Sequence, residues 1–317
     1  MYTCSFCQSN KPKQRFIARE MMFGLRDEFN YVECANCNSL QIEEIPSNLE
    51  KYYPANYLSL ELKHENRVKN WLKLKRFDNS FTDKGFIGKI VKKIWWAPPI
   101  GHFLKIANIK LEDVILDVGS GEGELLFLMH QYGFSNLTGV DPFISTNKNP
   151  KRGLNFIKGS IKDVSGKYDL IMFNHSLEHV VDPKEVLLKA ATLLNNNKYV
   201  LIRIPIVGVY AWRTYGVNWV QLDAPRHLSL PTVKGIKELA ALTGFSLDNV
   251  IYESWDFQFW GSEQFQNDIP LHDKRSLWFK SKESMFSKKQ IKDFKMKAEQ
   301  LNKNNDGDMA CFFLRKL

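Results

Sequence analysis

The chain has 317 residues, 44% of them hydrophobic, and a formal charge of +9. That apolar share supports a sizeable core and excludes a chain disordered by composition, and the length allows one large domain plus a small one. No apolar run reaches the length of a membrane span, and MYTCSFCQSNKPKQRF lacks the apolar region of a secretory signal, so the expected location is cytoplasmic.

Four of the five cysteines form two CxxC pairs, Cys4/Cys7 and Cys34/Cys37, separated by 26 residues. A CxxC turn aims two thiolates at one point, and two such turns supply the tetrahedral sulfur set of a structural Zn²⁺ site. QRFIARE and FNYVEC between them read as strands. Residues 1–46 are therefore expected to form a zinc ribbon, stabilised by metal because so short a segment buries little core. Two redox dithiols or unrelated free thiols are the other readings, and no thioredoxin-like βαβ pattern accompanies the pairs. Cys311, in CFFL, reads as a buried strand residue. Ribbons also bind nucleic acid, and Lys11, Lys13, Arg15 and Arg19 with Phe16 and Phe23 lend that some support. The second knuckle, ECANCNSLQIEEIP, is acidic, which favours docking or a substrate-facing role instead.

Residues 47–104 read as a basic, aromatic-rich linking segment with helical stretches, including Tyr52, Tyr53, Tyr57, Trp71, Trp95 and Trp96. Its run from Gly85 to Ile106 mixes apolar and basic residues, with Pro98–Pro99 interrupting any long helix. Contact with an anionic membrane surface is one reading. A helix packed on the catalytic domain is the plainer one.

From Val114 short apolar strands alternate with helical stretches, the pattern of a parallel sheet. The strands read are Val114–Val118, Leu137–Val140, Asn155–Lys158, Tyr168–Phe173 and Lys198–Ile204, with a helix at Pro183–Leu194 capped by Asp182. The first strand ends at Asp117 and runs into a turn holding Gly119, Gly121 and Gly123. Its GxGxG spacing differs from the GxGxxG of a dinucleotide site, and its carboxylates oppose a pyrophosphate. They suit a ligand with a cationic amine and no phosphate, such as S-adenosylmethionine. Asp141, 22 residues after Gly119 at the tip of the second strand, is placed to accept both ribose hydroxyls. Ser160, Ile161 and Asp163 follow the third strand, where an adenine is flanked. Asn174 and His175 end the fourth, on the methionine side.

LDVGSGEG, GVDP, YDLIMFNHSLEHVVDP, YVLIRIP and DAPRHLSLPT, taken in order, resemble the class I S-adenosylmethionine-dependent methyltransferases. With the knuckles, the chain looks like bacterial members that carry an N-terminal zinc ribbon and act in surface-glycan or secondary-metabolite synthesis. The resemblance implies a doubly wound α/β domain over residues 105–317 with a seven-stranded, mostly parallel sheet. It places Asp117, Gly119, Gly121, Asp141 and Asp163 at the cofactor. The chain departs from the pattern at Ser160, where an Asp often stands.

The loop after the fifth strand is expected to cover the acceptor, because ligands bind outside the carboxyl ends of such strands. It carries Tyr210, Trp212, Tyr215, Trp219, Asp223 and Arg226 as candidate substrate residues, with Trp219 stacking and Arg226 holding an anion. His227 and His179 are the candidate bases, with structural hydrogen bonds as their plain alternative. Residues 255–307 read as a basic helical insertion. The resulting expectation is methyl transfer to a small-molecule or glycan acceptor, ahead of an RNA acceptor and of a noncatalytic module.

Overall fold

The computed structural model describes residues 2–53, 67–94 and 100–317, apart from the side chains of 92–94. Tyr57, Trp95, Trp96, Pro98 and Pro99 lie outside that set. The chain opens with β1 (Pro12–Arg19), β2 (Glu28–Cys34) and β3 (Leu40–Ile42). Helices α1 (Arg67–Thr82), α2 (Phe86–Ile94) and α3 (Ile100–Ile106) follow. Next come β4 (Val114–Val118), α4 (Glu124–Tyr132), β5 (Asn136–Asp141), β6 (Lys148–Lys151), β7 (Leu154–Lys158), β8 (Tyr168–Asn174), α5 (Pro183–Leu193) and β9 (Leu194–Pro205). The last third holds α6 (Tyr210–Tyr215), β10 (Ser229–Leu230), α7 (Val233–Leu242), β11 (Phe245–Tyr252), α8 (Phe257–Gln266), α9 (Lys288–Lys303) and β12 (Met309–Lys316).

The strands form two sheets. The larger has the order β11-β12-β9-β8-β4-β5-β7-β6, and β4 runs parallel to both β5 and β8, as β5 does to β7. VILDV and YDLIMFN are nearly unbroken apolar runs because strands of a parallel sheet bury both faces. This is a doubly wound α/β fold, with eight strands among the described residues where seven were expected. The added strand, β6, pairs antiparallel with β7 at the edge. Its sequence KNPK has no apolar alternation to announce it, and its proline is tolerated only because an edge strand needs no full ladder.

By internal contacts the chain forms two compact units, Met1–Pro54 with His175–Leu187 and Arg203–Phe312, and Ala55–Asn174 with Leu188–Ile202 and Phe313–Leu317. This grouping differs from the expected division at residues 46 and 104. In the first unit the N-terminal strands form the sheet β1-β2-β3-β10, with Leu40 opposite Leu230, so that sheet is completed by residues far along the chain. The Tyr31 hydroxyl donates to the His227 carbonyl at 2.8 Å. Tyr31, Leu40, Trp219, Leu230 and Phe259 share one core cluster. Helices α8 and α9 fall within residues 255–307, and Phe257, Phe259 and Trp260 are buried in core. In the second unit the 67–106 helices belong with the parallel strands, and Phe77 of α1 packs on Tyr132 at 4.7 Å between ring centroids. Among the described residues no helix is long and apolar enough to cross a membrane.

Candidate functional site

The glycine turn follows β4. The N–H of Gly119 donates to the Val140 carbonyl at 2.8 Å, tying the turn to the neighbouring strand. Gly121 and Gly123 have φ of +51° and +91°, which favour glycine. A Cβ on Gly123 would come within 2.2 Å of the Phe156 ring, so that glycine serves packing, whereas nothing lies within 4 Å of a Cβ on Gly121. The Asp141 carboxylate spans the turn. Its Oδ2 accepts from the N–H of Gly121 at 2.9 Å and its Oδ1 from the N–H of Phe143 at 2.8 Å. Asp117 is buried, and its Oδ1 accepts from Asn174 Nδ2 at 2.9 Å. Asp117, the three glycines, Asp141 and Asn174 thus gather around the carboxyl ends of β4, β5 and β8.

Ser160 and Asp163 act first on each other. Ser160 Oγ accepts from the N–H of Lys162, while Asp163 accepts from the Ser160 N–H at 2.8 Å, a reciprocal cap on the short turn that buries Ile161. These bonds hold the Asp163 carboxyl below the usual carboxylate range. Glu122, the carboxylate inside the glycine turn, is ion-paired with Lys148.

Within the first unit, four thiols converge. Cys4 Sγ lies 3.6 Å from that of Cys37, and Cys7 Sγ 3.5 Å from that of Cys34. All four are unbridged and fall within 4.8 Å of one another. A tetrahedral ion with Zn–S bonds of ~2.3 Å sets its sulfurs about 3.8 Å apart, so the set fits zinc with little movement.

The second cluster is built from Glu178, His179 and His227, with His175 beside it at a φ of +54°. Their ring centroids place His179 and His227 4.9 Å apart. His179 Nδ1 lies 2.8 Å from the Arg226 carbonyl, and His227 Nδ1 lies 2.7 Å from that of Gln221. A carbonyl only accepts, so each Nδ1 carries the proton and each Nε2 keeps its lone pair. Burial lowers the His227 pKa; burial and the His227 charge lower that of His179 to about 4. Glu178 was passed over in the sequence, although it stands inside LEHV. It is 1% exposed, neither carboxylate oxygen has a hydrogen-bond partner among the described residues, and burial pushes its pKa up to about 8. His175 Nδ1 is 3.9 Å from its Oε1.

Two expected acceptor contacts are corrected. Arg226 is fully buried: its guanidinium donates to Asp223 at 2.6 Å, to Glu20 at 2.8 Å and to the Tyr52 carbonyl at 3.2 Å, so it has no donor face turned to a ligand. Trp219 is also fully buried, with Nε1 donating to Asp308 at 2.9 Å, and its indole presents no face for stacking. Asp223 is taken up by Arg226, which holds its carboxyl below the ordinary range despite burial. Tyr215 is buried, whereas Tyr210 and Trp212 are half-buried.

Residues 96–250 match a family model described as a methyltransferase domain. Over 98 residues the chain is 32% identical to EEF1A lysine methyltransferase 2 of Danio rerio, covering 28% of this chain and 40% of that protein's length. Among solved structures it is similar to the cyclopropane synthase MmaA2 of Mycobacterium tuberculosis, at 15% identity and a TM-score of 0.44, covering 69% of this chain and 84% of that one. It is also similar to an O-methyltransferase from a trans-AT PKS multienzyme of Brevibacillus brevis, at 17% identity and a TM-score of 0.38, covering 64% and 66%.

Proposed function

We propose that this chain, whose residues 96–250 match a methyltransferase domain, transfers a methyl group from S-adenosylmethionine to a small-molecule or glycan acceptor, such as a hydroxyl of a nucleotide-linked or lipid-linked sugar. The observation that carries the reading is the Asp141 carboxylate held by two backbone amides at the tip of β5, beside a glycine turn with open space over Gly121. Each carboxylate oxygen keeps a lone pair, enough for two ribose hydroxyls. S-adenosylmethionine supplies an activated methyl group on a sulfonium; the chain supplies position and proton handling. Asp117, Gly119, Gly121, Gly123, Asn174 and His175 line the cofactor side in this reading, with Ser160, Ile161 and Asp163 at the adenine. His227 and His179, with lone pairs on Nε2, take charge of the acceptor's proton. Tyr210 and Trp212 are the remaining ring-bearing candidates for acceptor contact.

Cys4, Cys7, Cys34 and Cys37 hold a structural Zn²⁺ in this proposal. Exposed Phe86, Ile87 and Ile90 of α2, beside Lys84 and Lys89, support a contact with anionic lipid, checked by sedimentation with phosphatidylglycerol vesicles.

Calorimetry with S-adenosylhomocysteine tests the cofactor. Asp141→Ala removes two hydrogen bonds to a carboxylate, about 2–4 kcal/mol, and is expected to weaken binding at least ~30-fold. Unchanged affinity, or tight NAD binding with none for S-adenosylhomocysteine, overturns the reading. A panel of sugars and RNA with labelled S-adenosylmethionine then identifies the acceptor class.

A further inference from the structure

Glu178, His179 and His227 bring three acceptor groups together with no donor among them. The ligand atoms they offer all lie within 4.8 Å of one another. Both histidines donate Nδ1–H to backbone carbonyls, as metal-bound imidazoles commonly do, and this fixes a lone pair on each Nε2. His227 Nε2 is 4.0 Å from Glu178 Oε1, too far for a hydrogen bond that would neutralise either group. The carboxylate is 1% exposed, and among the described residues neither of its oxygens has a hydrogen-bond partner. Arg226 does not serve it, being engaged by Asp223 and Glu20. A buried anion with no donor facing it is costly unless a cation or proton completes it.

We propose that Glu178, His179 and His227 bind a divalent first-row transition cation, a second metal site distinct from the four thiols. Two imidazoles and one carboxylate form a three-ligand set that leaves coordination positions open to oxygen donors. Bonds of ~2.1 Å set neighbouring ligand atoms about 3 Å apart, so binding draws the three groups inward by roughly 1 Å. Asp223 Oδ2, also 4.0 Å from His227 Nε2, is held back by Arg226 and stays outside the set. Resting on the methyl-transfer reading, the inference sharpens it: with the ion bound, His179 and His227 would handle the acceptor's proton through it, the acceptor oxygen taking one open position and a hydroxide in another accepting the proton and leaving as water while the methyl passes from the sulfonium to the oxygen.

The test titrates Mn²⁺ into the zinc-loaded full chain, followed by loss of the free-ion EPR signal. Mn²⁺ suits the N/O set and competes poorly for thiolates. One Mn²⁺ per chain is expected, with ¹⁴N couplings from two imidazoles in the bound-ion spectrum. Glu178→Gln and His227→Ala are each expected to weaken binding at least ~30-fold. Should a variant fail to fold, the ¹⁴N couplings of the native chain decide. Absence of bound Mn²⁺, Co²⁺ or Zn²⁺ beyond one zinc per chain overturns the site, as does Mn²⁺ binding without imidazole coupling or unaltered by Glu178→Gln. The buried Glu178 is then a neutral acid. Calorimetry with S-adenosylhomocysteine separates the two readings: cofactor binding without the second ion sinks only the ion, and ion binding without cofactor binding sinks only methyl transfer.

Discussion

Arg226→Met is expected to destabilise the fold severely while nearly conserving volume. Arg226 and Glu20 have no exposed surface and Asp223 has little, so the side chain's one positive charge sits between two carboxylates away from water. Removing one partner of such a buried set costs about 3–5 kcal/mol, because it strands uncompensated charge. Glu20 keeps some compensation from the N–H groups of Met22, Phe23 and Leu25, but Asp223 loses its two-pronged partner. At roughly 2–4 °C per kcal/mol, the Tm should fall by about 6–20 °C. Thermal unfolding followed by circular dichroism measures this. The triple variant Glu20→Gln, Asp223→Asn, Arg226→Met should recover much of the loss, since no charge is left unpaired. A Tm within ~2 °C of the native chain for Arg226→Met, or a triple variant no better than the single, would refute the argument.

Cys34→Ser should release one zinc per chain by elemental analysis and lower the Tm, since metal binding and folding of a ribbon are coupled. Gly123→Ala should destabilise the fold by at least ~1 kcal/mol in urea titrations, through its clash with Phe156 and its φ of +91°; Gly121→Ala, with open space around it, should instead weaken S-adenosylhomocysteine binding with a smaller loss of stability. Burial raises the Asp308 pKa from 3.8 to about 6. The native state therefore holds this proton more tightly than the unfolded chain, and the stability it contributes is complete below pH ~4 and lost as pH rises through ~6. The loss approaches ~3 kcal/mol, and Asp308→Asn should abolish that slope in urea midpoints taken from pH 4.5 to 7.

The parallel strands were legible because burial on both faces writes itself as short apolar runs. Val114–Val118 was read to the residue, and Pro183–Leu194 overran its helix by one residue. The convergence of the four thiols was legible because CxxC spacing is a local constraint. The pairing of β3 with β10 was not, since two residues of strand carry no period. Nor was the burial of Arg226, whose partner Glu20 lies 206 positions away. A charge is read as solvent-seeking until its partners are known. Glu178 was hidden between residues already singled out: the short turn at Leu177–His179 points the acid inward, and no sequence pattern marks which side of such a turn is buried.

The completion of the knuckle sheet by Ser229–Leu230 also has a consequence for biosynthesis. The thiols leave the ribosome before the edge that seals their sheet, which is made more than 180 residues later. At ~5–20 residues per second that interval is about 10–40 s. If the four thiols hold zinc as proposed, the nascent thiolates must through that interval be kept from oxidation and from the wrong ion, either by early metal capture or by a chaperone. Expression at limiting zinc should therefore lower the yield of native protein more than the same depletion applied to the finished chain.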